Sequence, residues 1–206
     1  DQAWWVQAER LDIDHEDELA RARHARLYFQ GVPILASPYF QMPLGDQRRS
    51  GVLVPSFGFN SRLGPEVSLP LYWNIAPNRD LTFTPRVMAR RGVLLQTEAR
   101  YLEPTWRGTI EYDGITNDRD FGASRDRLSV RHEQAMPGLL GGSAGAGLNY
   151  NRVSDDRFFV DFGRNIVSAS QAVLPQEAWL TYNRSVWSSA LRVSKNQTLE
   201  SLLAPG

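Results

Sequence analysis

The sequence predicts an all-β chain of antiparallel strands, on three observations. Apolar and polar residues alternate with a period of two through most of the chain beyond residue 50, as in strands with one covered face. No apolar run approaches the roughly 18 residues that a membrane helix needs. Clusters rich in Gly, Pro, Asn and Asp punctuate the alternating segments where turns belong. The totals narrow the function classes. Among the 206 residues, 23 Lys and Arg balance 23 Asp and Glu, so no net positive charge argues for nucleic acid. The absence of Cys excludes a disulfide framework and a thiolate metal site within these residues.

Taken in order, Trp4–Ile13 is predicted as a strand and Asp12–Asp17 as a polar turn. Glu18–Phe29 follows as a strand ending at Gly31, although Ala20, Ala22 and Ala25 would also suit a helix. Pro33, Pro38 and Pro43 then recur every five residues. Each fixes φ near −65° and removes an N–H, so Val32–Leu44 is predicted as a stiff, extended connector, neither helix nor central strand. A domain boundary is placed there, separating residues 1–45 from 46–206. Beyond it come apolar runs at Val52–Phe57 and Glu66–Trp73, carrying Pro55 and Pro70 respectively. Alternation continues through Leu81–Val87, Val93–Tyr101, Trp106–Tyr112, Leu128–Val130, Ala144–Tyr150, Ala178–Tyr182 and Trp187–Val193. Residues 112–126 and 161–175 are predicted as long connections. Gly141–Gly147 is predicted as a turn entering a small-residue strand where neighbours approach closely.

No constellation announces catalysis. His15 among Asp12, Asp14, Glu16 and Asp17 is expected to be a solvated acidic turn rather than a metal site. His24 and His132 have no ligand spacing, and there is no Gly-x-Ser-x-Gly elbow or P-loop. Asp155, Asp156 and Asp161 are expected on a solvated loop. No catalytic residue, cofactor or metal is therefore assigned. Pro55 and Pro70 either end their strands or mark an edge or bulge. Glu98, Arg100, Arg107 and Glu111 share the parity opposite the apolar one, and Tyr101, Trp106, Tyr112 and Tyr150 are expected at strand ends. Two architectures suit this: a soluble β-sandwich binding acyl or glycan ligands, or a membrane barrel whose charged face lines an aqueous lumen. A barrel enzyme acting on lipids would need a Ser–His pair that the sequence does not place.

Specific blocks resolve the choice by resemblance. Val32–Pro43, Arg48-Arg49-Ser50-Gly51 through Gly58, and Leu69-Pro70-Leu71-Tyr72-Trp73-Asn74-Ile75-Ala76-Pro77-Asn78 resemble the LptD family of lipopolysaccharide-assembly proteins, as do Asn149–Asp156 and Leu174-Pro175-Gln176. The similarity spans essentially the whole chain and implies an internal fragment of a longer protein. It further implies a non-enzymatic part of the outer-membrane lipopolysaccharide translocon. Residues 1–45 would end a periplasmic jelly roll and carry the hinge at Pro33, Pro38 and Pro43. The remainder would be the first strands of the outer-membrane β-barrel, with Pro55 and Pro70 on the lateral-gate strands. The implied partners are lipopolysaccharide, an LptE-type lipoprotein plug, and a periplasmic LptA-type bridge. Taken alone, such a piece is expected to close a smaller sheet or to oligomerise, because open edges and an apolar face would otherwise be exposed.

Overall fold

The computed structural model describes residues 4–14, 19–29, 31–43, 48–163 and 172–199. Nearly all of them lie in two antiparallel sheets. The first holds β1 (Trp4–Gln7), β2 (Arg10–Asp14), β3 (Leu19–Phe29) and β4 (Val32–Pro43). The predicted strand Trp4–Ile13 is present but breaks at Ala8-Glu9. Both halves pair with β3 in one continuous register, Gln7 with Arg26 and Arg10 with Arg23. The break lies opposite His24, whose φ of 48° departs from strand geometry. Asp12–Asp14, expected in a turn, belong to β2, while His15, Glu16 and Asp17 lie outside the described residues. Gly31 does make the turn after β3, at φ 86°.

The proline connector is a correction. Val32–Pro43 is extended as expected, but it is a paired strand on the outer flank of β3. Each proline sits where a ladder N–H is dispensable. Pro33 adjoins a bulge, where Ile34 is the extra residue between the pairs Tyr28–Pro33 and Leu27–Leu35. Pro38 lies opposite the irregular His24, and Pro43 ends the strand. Bulges and edges are where strands tolerate proline.

The second sheet begins after Ser50 and has eleven strands: β5 (Gly51–Val52), β6 (Ser56–Asn60), β7 (Gly64–Ser68), β8 (Leu71–Ala76), β9 (Arg79–Met88), β10 (Gly92–Leu102), β11 (Trp106–Asp118), β12 (Ala123–Pro137), β13 (Ser143–Val153), β14 (Val173–Arg184) and β15 (Trp187–Thr198). From β9 to β15 each strand pairs with the next, and the sheet is open, with β15 at one edge and β5 and β6 at the other. The expected long connection 112–126 is a second correction. Pairing runs on through Asp113–Arg127 and Gly114–Asp126 to Asp118–Ala123, leaving a tight turn at 119–122. The polar residues there stay in the ladder because their side chains meet partners, Arg127 with Asp113 among them. After β13 a short helix, α1 (Phe158–Phe162), folds back on the sheet.

Register sorts the side chains into two faces. Trp73, Leu81, Ala99, Ile110, Val130 and Tyr150 form one row across β8 to β13. On the opposite face the adjacent row is Asn74, Asp80, Arg100, Thr109, Arg131 and Asn149. The apolar face has no cover among the described residues: Trp73, Val87 and Leu191 are 57%, 51% and 63% exposed. A soluble sandwich would bury this face under a second sheet.

Candidate functional site: an interrupted edge, a pinned loop and a charged face

The first two lanes of the second sheet are each built from two short strands. β7 and β8 pair end to end with β9 in one unbroken register, Ser68 with Arg86 and Leu71 with Phe83. The interruption is Leu69-Pro70. Leu69 N donates to Pro85 O at 3.1 Å, and Leu53 N donates to Pro70 O at 2.9 Å. In an antiparallel ladder such facing residues exchange two hydrogen bonds. Neither pair can here, because Pro85 and Pro70 have no N–H to return to Leu69 O and Leu53 O. Pro55 weakens the outermost lane differently. Between the Leu53–Pro70 contact and the Ser56–Ser68 pair, Val54 and Pro55 face the single residue Leu69, which is a bulge. Val54 is 87% exposed.

The structure therefore brings Pro55 and Pro70 together at one level of the sheet edge, and it adds Pro85. The sequence reading missed Pro85 because it fits the apolar parity of a regular strand. Its significance is the register that sets it across from Leu69. Pro33, Pro38 and Pro43 lie in the other sheet and do not join this group.

At the far end of the same edge the sheet is held firmly. The turns 61–63, 89–91 and 119–122 and the segment after Val153 lie at this end, opposite the turns at 77–78, 103–105 and 185–186. Here α1 buries Phe158, Phe159 and Phe162 against Leu63, Met88, Leu94, Ile115 and Val153. Beneath it Arg125, fully buried, holds Asp118 Oδ2 at 2.8 Å, Asp161 Oδ2 at 2.9 Å and Asp155 at 2.7 and 2.8 Å. Arg91 reaches Asp118 at 2.8 Å and Asp161 at 3.3 Å. The Arg125 guanidinium also stacks on Phe121 and Phe162, at 4.4 and 4.8 Å from the ring centroids. Such a cluster tolerates burial because every charge has an opposite partner. Burial alone would push the Asp155 carboxyl up, but the bonds from Arg125 and the Ser154 hydroxyl hold it below the usual carboxylate range.

This overturns the solvated-loop expectation for Asp155 and Asp161. Both are structural anchors, and Asp161 is almost fully buried. The loop also grips the first hairpin and β9. Arg62 Nη1 donates to Val160 O at 3.1 Å and Arg86 Nη1, on β9, donates to Phe162 O at 2.9 Å, while Arg90 bonds Ser61 O and joins the two neighbouring turns.

The charged face carries the remaining polar groups. Arg100 binds Asp80 through two bonds of 2.8 and 3.0 Å, and Arg107 binds Glu133 at 2.9 Å. Arg127 bridges Asp113 and Glu111. Of the aromatics expected at strand ends, Tyr101 and Trp106 are there, with ring centroids 5.0 Å apart and the Tyr101 hydroxyl 2.6 Å from His132 Nδ1. Tyr112 and Tyr150 lie inside β11 and β13 instead. Tyr182 and Trp187 join the end occupied by Tyr101 and Trp106. Among the described residues no His, Cys, Asp or Glu group could hold a metal ion.

A sheet of this kind, apolar on one face, charged on the other and with aromatics along one end, has the side-chain pattern of the transmembrane β-barrel class. The chain belongs to the LptD family. The family description "LptD protein" matches residues 21–156, and "LPS transport system D" matches residues 126–204. The LPS-assembly protein LptD of Ralstonia nicotianae is 43% identical over 95% of this chain and 24% of its own length. That of Burkholderia cenocepacia is 42% identical over 98% of this chain and 26% of its own length. That of Albidiferax ferrireducens is 41% identical over 98% of this chain and 26% of its own length. The chain thus spans about a quarter of the length of the curated relatives it matches.

Proposed function

We propose that this chain forms the hinge and lateral-gate region of an outer-membrane translocon that inserts lipopolysaccharide into the outer leaflet. In this reading residues 1–45 end a periplasmic jelly roll that takes lipopolysaccharide from an LptA-type bridge, with the hinge at Pro33, Pro38 and Pro43. Residues 46–206 begin the barrel, whose remaining wall lies in other parts of the protein and whose lumen holds an LptE-type lipoprotein. The lengths of the connections support this orientation. Periplasmic turns of such barrels are short and extracellular loops longer. β5 starts at the end with the connections 77–78, 103–105, 138–142 and 185–186, opposite the long segment between Val153 and Val173, which supports a preceding sheet that faces the periplasm.

The observation that carries the gate is the alignment of Pro55, Pro70 and Pro85 behind the sheet's open edge. A glycolipid with a large polar head and several acyl chains crosses only if its head stays in the lumen while its tails reach lipid. A closed ladder satisfies every strand edge and forbids that exit. Each missing return bond removes about 1 kcal/mol net, and more where lipid replaces water. The weakness lies within the first two lanes, so the edge can bend away from β9 while the pinned turn at 61–63 keeps it attached. No nucleotide-binding motif is present in the sequence, so in this reading the driving energy comes from elsewhere in the pathway. Replacing Pro55 and Pro70 with valine in the full-length protein should tighten the edge and slow delivery of new lipopolysaccharide to the cell surface. Normal delivery by a folded variant would refute the gate.

A further inference from the structure

We propose that the row Asn74–Asp80–Arg100–Thr109–Arg131, with Arg48 beside it, binds a phosphoryl group on the sugar portion of the exported glycolipid. This rests on the reading of the charged face as the barrel lumen. A groove of about 340 Å³ runs along the row near the periplasmic end, and Arg48, Arg100, Arg107 and Arg131 line it against Asp80 and Glu133. Four guanidinium groups thus meet two carboxylates, and both carboxylates are already engaged. Asp80 takes Arg100 by two bonds and has Arg48 at 3.6 Å, and Glu133 takes Arg107. The Arg131 side chain has no hydrogen bond or ion pair among the described residues. Its planar fork of donors, with no acceptor of its own, matches phosphate bidentately. Thr109 pairs directly with both Arg100 and Arg131 and sets a hydroxyl between them.

The next row of this face gives the site a direction. There Glu98 lies directly opposite Glu111, with Asp113 two residues further along β11 and Arg127 bridging Glu111 and Asp113. Three carboxylates there meet Arg127 and, 3.3 Å from Glu98, only Arg100, which Asp80 already holds by two bonds, and this excess repels an anion that advances straight up the face. The favourable path runs along the arginine row instead, towards Asn74. That residue ties the row to the chain entering the first strand, through Arg48 O at 2.6 Å and Ser50 Oγ at 2.8 Å. Asn74 is four residues from Pro70 along the lane, or about 13 Å at strand rise. The phosphoryl site therefore holds the head beside the interrupted edge through which the tails would leave.

The test places a photo-crosslinking residue at Asn149, beside Arg131, or at Thr181, elsewhere on the charged face, in the full-length protein with its lipoprotein partner. The probes are purified lipopolysaccharide, the same material treated with phosphatase, and vesicles of phosphatidylglycerol. The Asn149 adduct with lipopolysaccharide should fall about tenfold in Arg131→Gln, equivalent to about 1.4 kcal/mol. It should fall similarly with the phosphatase-treated probe and recover only in part in Arg131→Lys, which keeps the charge but not the fork, while the Thr181 adduct stays constant and reports intact folding. An Asn149 adduct indifferent to Arg131→Gln would overturn the site. An equal yield from phosphatidylglycerol would overturn its assignment to the glycolipid. Absence of lipopolysaccharide adducts at both positions in the parent protein would overturn the lumen reading itself.

Discussion

Arg125 is the position where one substitution should cost most. Its side chain is fully buried and donates to Asp118, Asp161 and Asp155. Arg125→Ala would leave Asp118 and Asp161 buried and sharing Arg91, with the exposed Arg157 3.8 Å from Asp161 as the other cation, and would remove the surface on which Phe121 and Phe162 stack. Breaking a buried ion pair by deleting one partner costs about 3–5 kcal/mol, which is more than a hundredfold in the folding equilibrium. Removing the charges together is far milder, because an apolar replacement of similar volume leaves nothing uncompensated. Because Arg91 also pairs with Asp118 and Asp161, and Asp155 with Arg125, the variant that combines Arg91→Met and Arg125→Met with Asp118→Leu, Asp161→Leu and Asp155→Asn should therefore recover most of the loss. The assay is urea unfolding of the full-length protein in lipid bilayers, followed by tryptophan fluorescence. Arg125→Ala within about 1 kcal/mol of the parent would show that the loop is not anchored by this cluster, since that is the size of an exposed pair.

Two further outcomes follow from the same geometry. Because Asp155 is held below its usual pKa when folded, its contribution is present above the unfolded carboxylate value of about 3.9. It disappears as pH falls through the folded value, so stability should decline in acid below about pH 4, and Asp155→Asn should flatten that limb of a pH titration of unfolding. At Gly147 a Cβ would stand inside the Trp179 ring, so Gly147→Val should cost about 1–3 kcal/mol by overpacking. Trp179→Leu in the same chain should restore much of it, as read from unfolding midpoints.

How much of this was legible in the sequence depends on the range of the interaction. Period-two alternation is local, and it placed β9 to β15 and their two faces, including Glu98 and Arg100 on the charged one. Gly141–Gly147 was readable for the same reason, because small residues in an alternating segment require something large nearby, and Trp179 is that neighbour. The prolines were half legible. Pro55 and Pro70 stood out as interruptions, but the level at which they meet is set by register, which composition does not encode. Pro85 was hidden inside a regular alternation. In the first sheet, three prolines suggested a stiff, extended connector, and the bulge at Ile34 and the irregular His24 explain how they fit a paired edge strand. The Arg125 cluster was not legible at all. Its members come from β10's preceding turn, β11, β12 and the loop after β13, and charged residues near Gly and Asn in sequence look solvated until tertiary packing buries them.

The central claim is that the proline-interrupted lanes are the weak part of the wall. Amide hydrogen exchange of the full-length protein in lipid nanodiscs, resolved by peptide, measures that directly. The account predicts that residues 51–57 and 67–72 exchange at least about tenfold faster than residues 93–101 and 106–114, a difference equal to one or two lost ladder bonds. It also predicts that Pro70→Val with Pro85→Val narrows the gap. Equal protection across all four segments in the parent protein would contradict it.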